Sequence, residues 1–132
     1  NIAFKWTLPP SIENEYPLVE VDVSRMEQAL SNLVYNAIDH SGTTALHISL
    51  KLIDNTAIIS VTDYGNGIQE DDLPFLFDRF YTNSYSGGQG HGLGLAICKE
   101  IMNYHNGEIN MSSQQGVGTT FSLSLPTFQV LD

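Results

Sequence analysis

Three groups of residues in this chain have types and spacings suited to chemistry. The first is Gly90-His91-Gly92-Leu93-Gly94-Leu95, which runs straight into the amphipathic start Ala96-Ile97-Cys98-Lys99-Glu100-Ile101. Glycines at 90, 92 and 94 allow a backbone to approach a ligand closely. They also deliver bare N–H groups to a helix N-terminus, where partial positive charge favours an anion. The chemistry this suggests is phosphate binding, although loops with three glycines also occur with no ligand. No Gly-Lys-Ser or Gly-Lys-Thr follows, so the segment is not a P-loop, and its Gly-x-Gly-x-Gly spacing differs from the dinucleotide fingerprint.

The second group lies on one helical stripe. Asn32 and Asn36 are four residues apart, with Asp39 and His40 one turn further on, so all four share a face. Asparagine is a poor helix-interior residue, and two amides flanking Leu33-Val34 want partners. They either cap a neighbouring loop or face water, or the Asn36 oxygen ligates Mg²⁺, a hard cation satisfied by one or two protein oxygens when phosphates and waters complete its octahedron. The third group is Asp63, at the end of Ile58-Ile59-Ser60-Val61-Thr62 and just before Tyr64-Gly65-Asn66-Gly67-Ile68. A carboxylate there can organise the turn. It can equally accept a hydrogen bond from an adenine amino group, where guanine would present an oxygen.

The remaining candidates read as structure. His105 precedes Asn106-Gly107 at a helix end and is expected to meet the last carbonyls, while His47 has no metal-spaced cluster around it. Cys98 is expected to be a small core residue. The cluster Leu73, Pro74, Phe75, Leu76, Phe77, Phe80 and Tyr81 is read as core that anchors the following polar stretch.

Composition narrows the partners. The chain has 132 residues, 42% of them apolar, which suits a single domain spanning 1–132. Fifteen acidic against five basic residues give a formal charge of −10, which argues against nucleic acid and against direct contact with an anionic membrane. A nucleotide is also anionic, so any phosphate site here must rely on backbone N–H groups, a helix N-terminus and a divalent cation. A single cysteine excludes an intrachain disulfide, and no run of roughly 18 apolar residues or cleavable signal is present.

These residues need elements to hold them. Ile2, Phe4, Trp6 and Leu8 alternate as a first strand ended by Pro9-Pro10, and Leu18 to Val21 reads as a second short strand. Ser24 followed by Glu27 has the capping-box pattern and predicts a helix from near Ser24, with Met26, Leu30, Leu33, Val34, Ala37 and Ile38 as its core face. Strands are expected over 45–53 and 57–63, joined by Asp54-Asn55 as a hairpin turn. Short helical pieces within 65–81, a polar loop over 82–90, a helix over 92–104 and a hairpin of strands over 108–113 and 119–125 follow. The interleaving predicts a two-layer α/β sandwich, with a mixed sheet and the helices on one face.

With these pieces in order, the chain resembles the catalytic ATP-binding domain of a bacterial two-component sensor histidine kinase, a family grouped with gyrase-type, heat-shock chaperone and mismatch-repair ATPases. Five blocks carry the resemblance. Asn32-Leu33-Val34-Tyr35-Asn36-Ala37 is similar to the N box, Asp63-Tyr64-Gly65-Asn66-Gly67-Ile68 to the first glycine box and Leu76-Phe77-Asp78-Arg79-Phe80-Tyr81 to the F box. Gly90 to Ile97 is similar to the second glycine box, and Gly116-Val117-Gly118-Thr119-Thr120-Phe121 to the last.

The resemblance implies the α+β Bergerat fold, with a mostly antiparallel sheet of about five strands on about three helices and a mobile ATP lid over about 82–91. It implies that Asn36 coordinates Mg²⁺ and Asp63 recognises adenine, with Thr119 beside it. Gly90, His91, Gly92, Leu93, Gly94 and Leu95 would wrap the phosphates, and Asn32, Asp39, His40, Gly65, Gly67, Ile68 and Tyr81 would complete the ATP site. The implied reaction is phosphoryl transfer to a histidine. None of His40, His47, His91 and His105 has a phosphoacceptor's context, so the dimerisation and phosphoacceptor domain is expected outside this chain. The same resemblance implies a downstream response regulator and a cytoplasmic domain whose parent is anchored in the bacterial cell membrane. Two positions depart from the family pattern: Asp39 and Thr82 stand where Lys or Arg is usual, which predicts weak, strongly Mg²⁺-dependent nucleotide binding. A gyrase- or chaperone-type hydrolase would need a glutamate base where this chain has Asn32. A degenerate, partner-binding domain is the other alternative.

Overall fold

The computed structural model describes residues 2–8, 18–40, 42–43, 45–78 and 94–128, with His40 described in its backbone only. The elements run β1 (Ala3–Thr7), α1 (Val23–His40), β2 (Ala45–Ile53), β3 (Thr56–Asp63), a 3-10 helix over Glu70–Phe75, α2 (Gly94–Tyr104), β4 (Glu108–Gln114) and β5 (Gly118–Pro126). One sheet of five strands in the order β1-β2-β3-β5-β4 carries them. Only β1–β2 is parallel, and the other three pairings are antiparallel. The mixed, mostly antiparallel sheet is thus as expected. Among the described residues the helical layer consists of two α-helices and the 3-10 turn.

The core lies between that layer and one face of the sheet. Met26, Ala29 and Leu33 of α1 and Cys98, Ile101 and Met102 of α2 pack against Val61, Phe121, Leu123 and Leu125, joined by Ile68 and Leu76 from the connecting segment. Leu33, Met102 and Leu123 are fully buried, and each such side chain contributes about 1.5–3 kcal/mol. Strand alternation leaves the opposite face to hydroxyls, where Ser60 meets Ser122 at 2.9 Å and Thr62 meets Thr120 at 2.8 Å across β3 and β5. The Asp54-Asn55 turn forms as expected, with both residues at positive φ (48° and 63°), a conformation that Asn and Asp tolerate.

Four expectations need correction. The first helix is capped by Asp22 rather than Ser24: Asp22 Oδ1 accepts the Arg25 N–H at 3.2 Å, and helix begins at Val23. Leu18 to Val21 does not form a strand; Leu18 makes an isolated bridge with Phe128, and residues 19–22 lead into α1 without pairing. All five residues of β1 are exposed, so the expected alternation leaves no buried face there: Phe4, Trp6 and the adjoining Leu8 are 49%, 64% and 70% exposed on this edge strand, which the helical layer does not cover. In the aromatic segment Leu76 is buried and Phe77 meets Phe121 edge-on at 6.3 Å, but Phe75 is exposed. A 3-10 turn directs successive side chains away from one another, and this one carries Phe75 outward.

Candidate functional site

The end of the sandwich where β3 finishes and β5 begins gathers most of the candidates. Asp63 and Thr119 are register partners across β3 and β5 and are each 2% exposed. Register partners on one sheet face lie side by side, so a carboxylate and a hydroxyl share one buried position. Asp63 Oδ1 accepts the Gly65 N–H at 3.0 Å, which gives the carboxylate the turn-organising role that its sequence context suggested.

Two glycines hold this end together by close approach. Gly67, at φ 73°, lies against the Gln114 backbone, and Gly118, at φ 147°, lies against the Asp63 backbone; a Cβ on either would overlap a carbonyl oxygen. The first and last glycine segments therefore interlock, and each needs glycine for space as well as for φ. Ile68, beside Gly67, is buried, and its N–H donates to Ser113 Oγ at 2.8 Å. Ser113 Oγ in turn lies 2.8 Å from Thr119 Oγ1 and 3.3 Å from the Gly118 carbonyl oxygen. Ser113 is a residue of this end that sequence reading did not single out. Its signal was a serine at the core-facing position of a strand whose other inward residues are Ile109 and Met111.

The helices supply the facing wall. Asn32 Nδ2 donates to the Gly94 carbonyl at 3.4 Å, and Cys98 Sγ donates to the Ala29 carbonyl at 3.3 Å. The second helix is therefore pinned to the first with its N-terminus beside the asparagine stripe. One turn beyond Asn32, Asn36 Nδ2 is the sole buried side-chain nitrogen or oxygen among the described residues without a hydrogen-bond partner. An unpaired buried amide is costly, and such a group marks a place where a ligand or ion would complete the structure. Just past α1, Thr43 Oγ1 accepts the Tyr64 N–H at 3.0 Å and donates to the Ala45 carbonyl at 2.6 Å, tying the end of α1 to the end of β3. Asp39 is exposed on the last turn of α1, Gly94 is exposed, and Leu95 is half-buried.

Other candidates fall elsewhere. Burial pushes the Cys98 thiol up to about 12, against an opposing hydrogen bond from Asn32, so it is an inert core group as expected. His105 meets the Ile101 carbonyl at 2.7 Å, as its place at the helix end suggested, and also Asp22. His47 meets Thr7 at 2.8 Å. Arg25 lies 6.0 Å from the centre of the Tyr104 ring, at the N-terminal end of α1. Tyr81, Gly90, His91, Gly92 and Leu93, and with them Arg79, Phe80 and the expected lid over 82–91, lie outside the described residues, as does the His40 side chain.

Comparison with known proteins agrees with this arrangement. The family of histidine kinase-, DNA gyrase B- and HSP90-like ATPases matches residues 21–129. The sensor protein EvgS of Escherichia coli O157:H7 is 36% identical over 135 residues, covering 95% of this chain and 11% of EvgS. The signal transduction histidine-protein kinase AfsQ2 of Streptomyces coelicolor is 41% identical over 108 residues, covering 80% of this chain and 20% of AfsQ2. The solved structure of the mycobacterial sensor histidine kinase MprB superposes with a TM-score of 0.79 at 28% identity, covering 98% of this chain and 84% of that one. The chain thus spans between 11% and 20% of the length of these two curated relatives. With the N-box asparagines, the interlocked glycine segments and the sheet order in place, the chain belongs to the histidine kinase-, DNA gyrase B- and HSP90-like ATPase family, as a catalytic ATP-binding domain of the sensor histidine kinase type.

Proposed function

We propose that this domain binds Mg²⁺-ATP and presents the γ-phosphoryl group to a histidine on a separate dimerisation domain of a longer sensor kinase. The observation that carries the reading is the buried Asp63–Thr119 pair, closed from below by Gly67 and Gly118. A carboxylate at that point accepts from the adenine 6-amino group, and the oxygen that guanine carries there would be repelled.

The Mg²⁺ assignment rests on Asn36. Its orphaned amide can turn to offer an oxygen or a nitrogen, and an amide oxygen is a hard donor of the type Mg²⁺ accepts. Among the described residues no three His, Cys, Asp or Glu side chains come together, so phosphate oxygens and water would complete such a site. When bound, the ion would offset phosphate charge that Asp39 does nothing to relieve. The chain's own part is to orient: Asn32 fixes the N-terminus of α2 through Gly94, and the glycine segments shape the floor. Phosphoryl transfer asks for little else than positioning and charge stabilisation.

A phosphoacceptor histidine, a downstream response regulator and anchorage of the parent protein in a bacterial membrane complete the proposal. No helix among the described residues is long and apolar enough to cross a membrane. Calorimetric titration tests the reading. Mg²⁺-ATP is expected to bind at least about tenfold more tightly than Mg²⁺-GTP, and Asp63→Asn, which keeps an oxygen for the Gly65 N–H, is expected to erase that preference. Equal affinity for the two nucleotides would sink it.

A further inference from the structure

The strand expected over Leu18 to Val21 fails at one residue of its partner, and the failure opens a cleft. Leu18 and Phe128 exchange both main-chain hydrogen bonds, at 3.0 and 2.8 Å. In that antiparallel register Glu20 faces Pro126 as the next bonded pair. The Phe128 N–H points to Leu18 and the Thr127 N–H to Asn55 on the other side, at 2.9 Å, so an N–H at position 126 would point to Glu20. Proline has none. The ladder stops there, and the main chain of residues 19–21 bonds to no other described residue. Between this stretch and the end of α2 lies a cleft of about 750 Å³, walled by Glu20, Asp22, Tyr104 and Phe128 over buried His105 and Leu125.

The charge of this cleft has one sign. Glu20 and Asp22 are exposed carboxylates, and no Lys or Arg is among its described lining residues. His105 is taken up by the Asp22 N–H and the Ile101 carbonyl. The C-terminus of α2 and the N-terminus of α1 meet here with opposite partial charges that offset each other, so the carboxylates decide. At the rim Arg25 lies 6.0 Å from the centre of the Tyr104 ring; one cation is already drawn to this wall, and two carboxylates outnumber it. We propose that the cleft docks an extended segment of a partner protein through an arginine of that segment. A guanidinium fork donates in several directions at once, here to Glu20, to Asp22 and to the Glu20 carbonyl that Pro126 leaves without a partner, while its aliphatic stem covers Phe128. The formal charge of −10 works against a second copy of the chain as occupant. This end of the helix pair is remote from the asparagine stripe, so the proposal stands apart from the nucleotide reading.

Amide NMR titration of the isotope-labelled chain with the peptide acetyl-Ala-Arg-Ala-amide tests this. The peptide is expected to move the amides of Glu20, Asp22, Asn106 and Phe128. It should bind at least about fivefold more tightly than its citrulline counterpart, which keeps the shape without the charge. Glu20→Gln should weaken the arginine peptide by about three- to fivefold and leave the citrulline peptide unchanged. Pro126→Ala restores the missing N–H and lets Glu20 pair across the cleft. It should weaken the arginine peptide by about threefold or more, with the new amide protected from exchange. Methylguanidinium, the head group alone, should bind at least about fivefold more weakly than the peptide. Equal affinity for the arginine and citrulline peptides overturns the proposal, as do shifts as large at the acidic turn Glu70–Asp72 as at the cleft. Methylguanidinium binding as tightly as the peptide overturns it in favour of a small cation.

Discussion

The Asp22 amide donates to His105 Nε2 at 2.9 Å, across 83 residues of sequence. An amide N–H can only donate, so Nε2 is the unprotonated nitrogen, and Nδ1 carries the proton given to the Ile101 carbonyl at 2.7 Å. One neutral imidazole therefore joins the C-terminal end of α2 to the N-cap of α1, at the opposite end of the helix pair from the asparagine stripe. His105→Ala is expected to lower unfolding stability by about 1–2 kcal/mol, since it removes the acceptor of the Asp22 N–H and one of two donors to the Ile101 carbonyl, which keeps the backbone N–H of residue 105, as read from urea denaturation. Nucleotide affinity should hold within about twofold, because the two ends are independent sites.

The two glycines near the β4–β5 turn should respond very differently to alanine. At Gly118 a Cβ would run into the Asp63 carbonyl, whereas at Gly116 it meets open space and only the positive φ of 83° resists. Gly118→Ala is expected to cost more than about 3 kcal/mol, because backbone must move, and to weaken nucleotide binding by displacing Asp63. Gly116→Ala should cost about 1 kcal/mol. Thermal melts of both variants, with and without Mg²⁺-ATP, check the contrast.

What was legible in the sequence is what local chemistry decides. The Asp54-Asn55 turn was readable because those two residues tolerate left-handed backbone, and the strands around it because β-branched and apolar residues run there. Asp22 was not readable as the N-cap. Ser24 with Glu27 offered an equally good local pattern, and what settles the position is His105, whose place is fixed only after α2 folds back on α1. The exposure of Trp6 was hidden for a similar reason, since alternation marks a face but not whether the helical layer reaches it. In the site, Asp63 stood out at a strand end before two glycines and the asparagine pair by its i, i+4 spacing, while Thr119 came only with the family resemblance. Ser113 carried no such signal, because its partners Ile68 and Thr119 are brought to it only by the folded sheet.

Asp39 sits three residues beyond Asn36 on the last turn of α1 and is exposed. A carboxylate near a helix C-terminus opposes the macrodipole, and next to a triphosphate it adds repulsion. Asp39→Lys is expected to tighten Mg²⁺-ATP binding by about three- to tenfold at low ionic strength, with the gain shrinking at high salt as exposed charges are screened. It should also raise stability by about 0.5–1 kcal/mol. An affinity gain that survives high salt would contradict a surface electrostatic cause.

Cys98 gives the chain a pH dependence whose sign follows from burial. Its thiol is raised from 9.0 to about 12 in the folded state, while the unfolded chain loses that proton near the ordinary value. Between these limits the folded state holds more protons than the unfolded one, so stability falls as pH rises; below 9.0 the thiol is neutral in both states and contributes no slope. The loss reaches at most about 1.4 kcal/mol per pH unit. Urea midpoints measured from pH 8 to 11 on the parent chain and on Cys98→Ala isolate it, because the tyrosines and lysines titrate in both. The parent should lose stability more steeply than the variant above pH 9, and native Cys98 should resist alkylation at pH 8 until urea exposes it. Parallel slopes would mean that the thiolate is accommodated between the helices, and rapid native alkylation would mean that α1 and α2 part there readily.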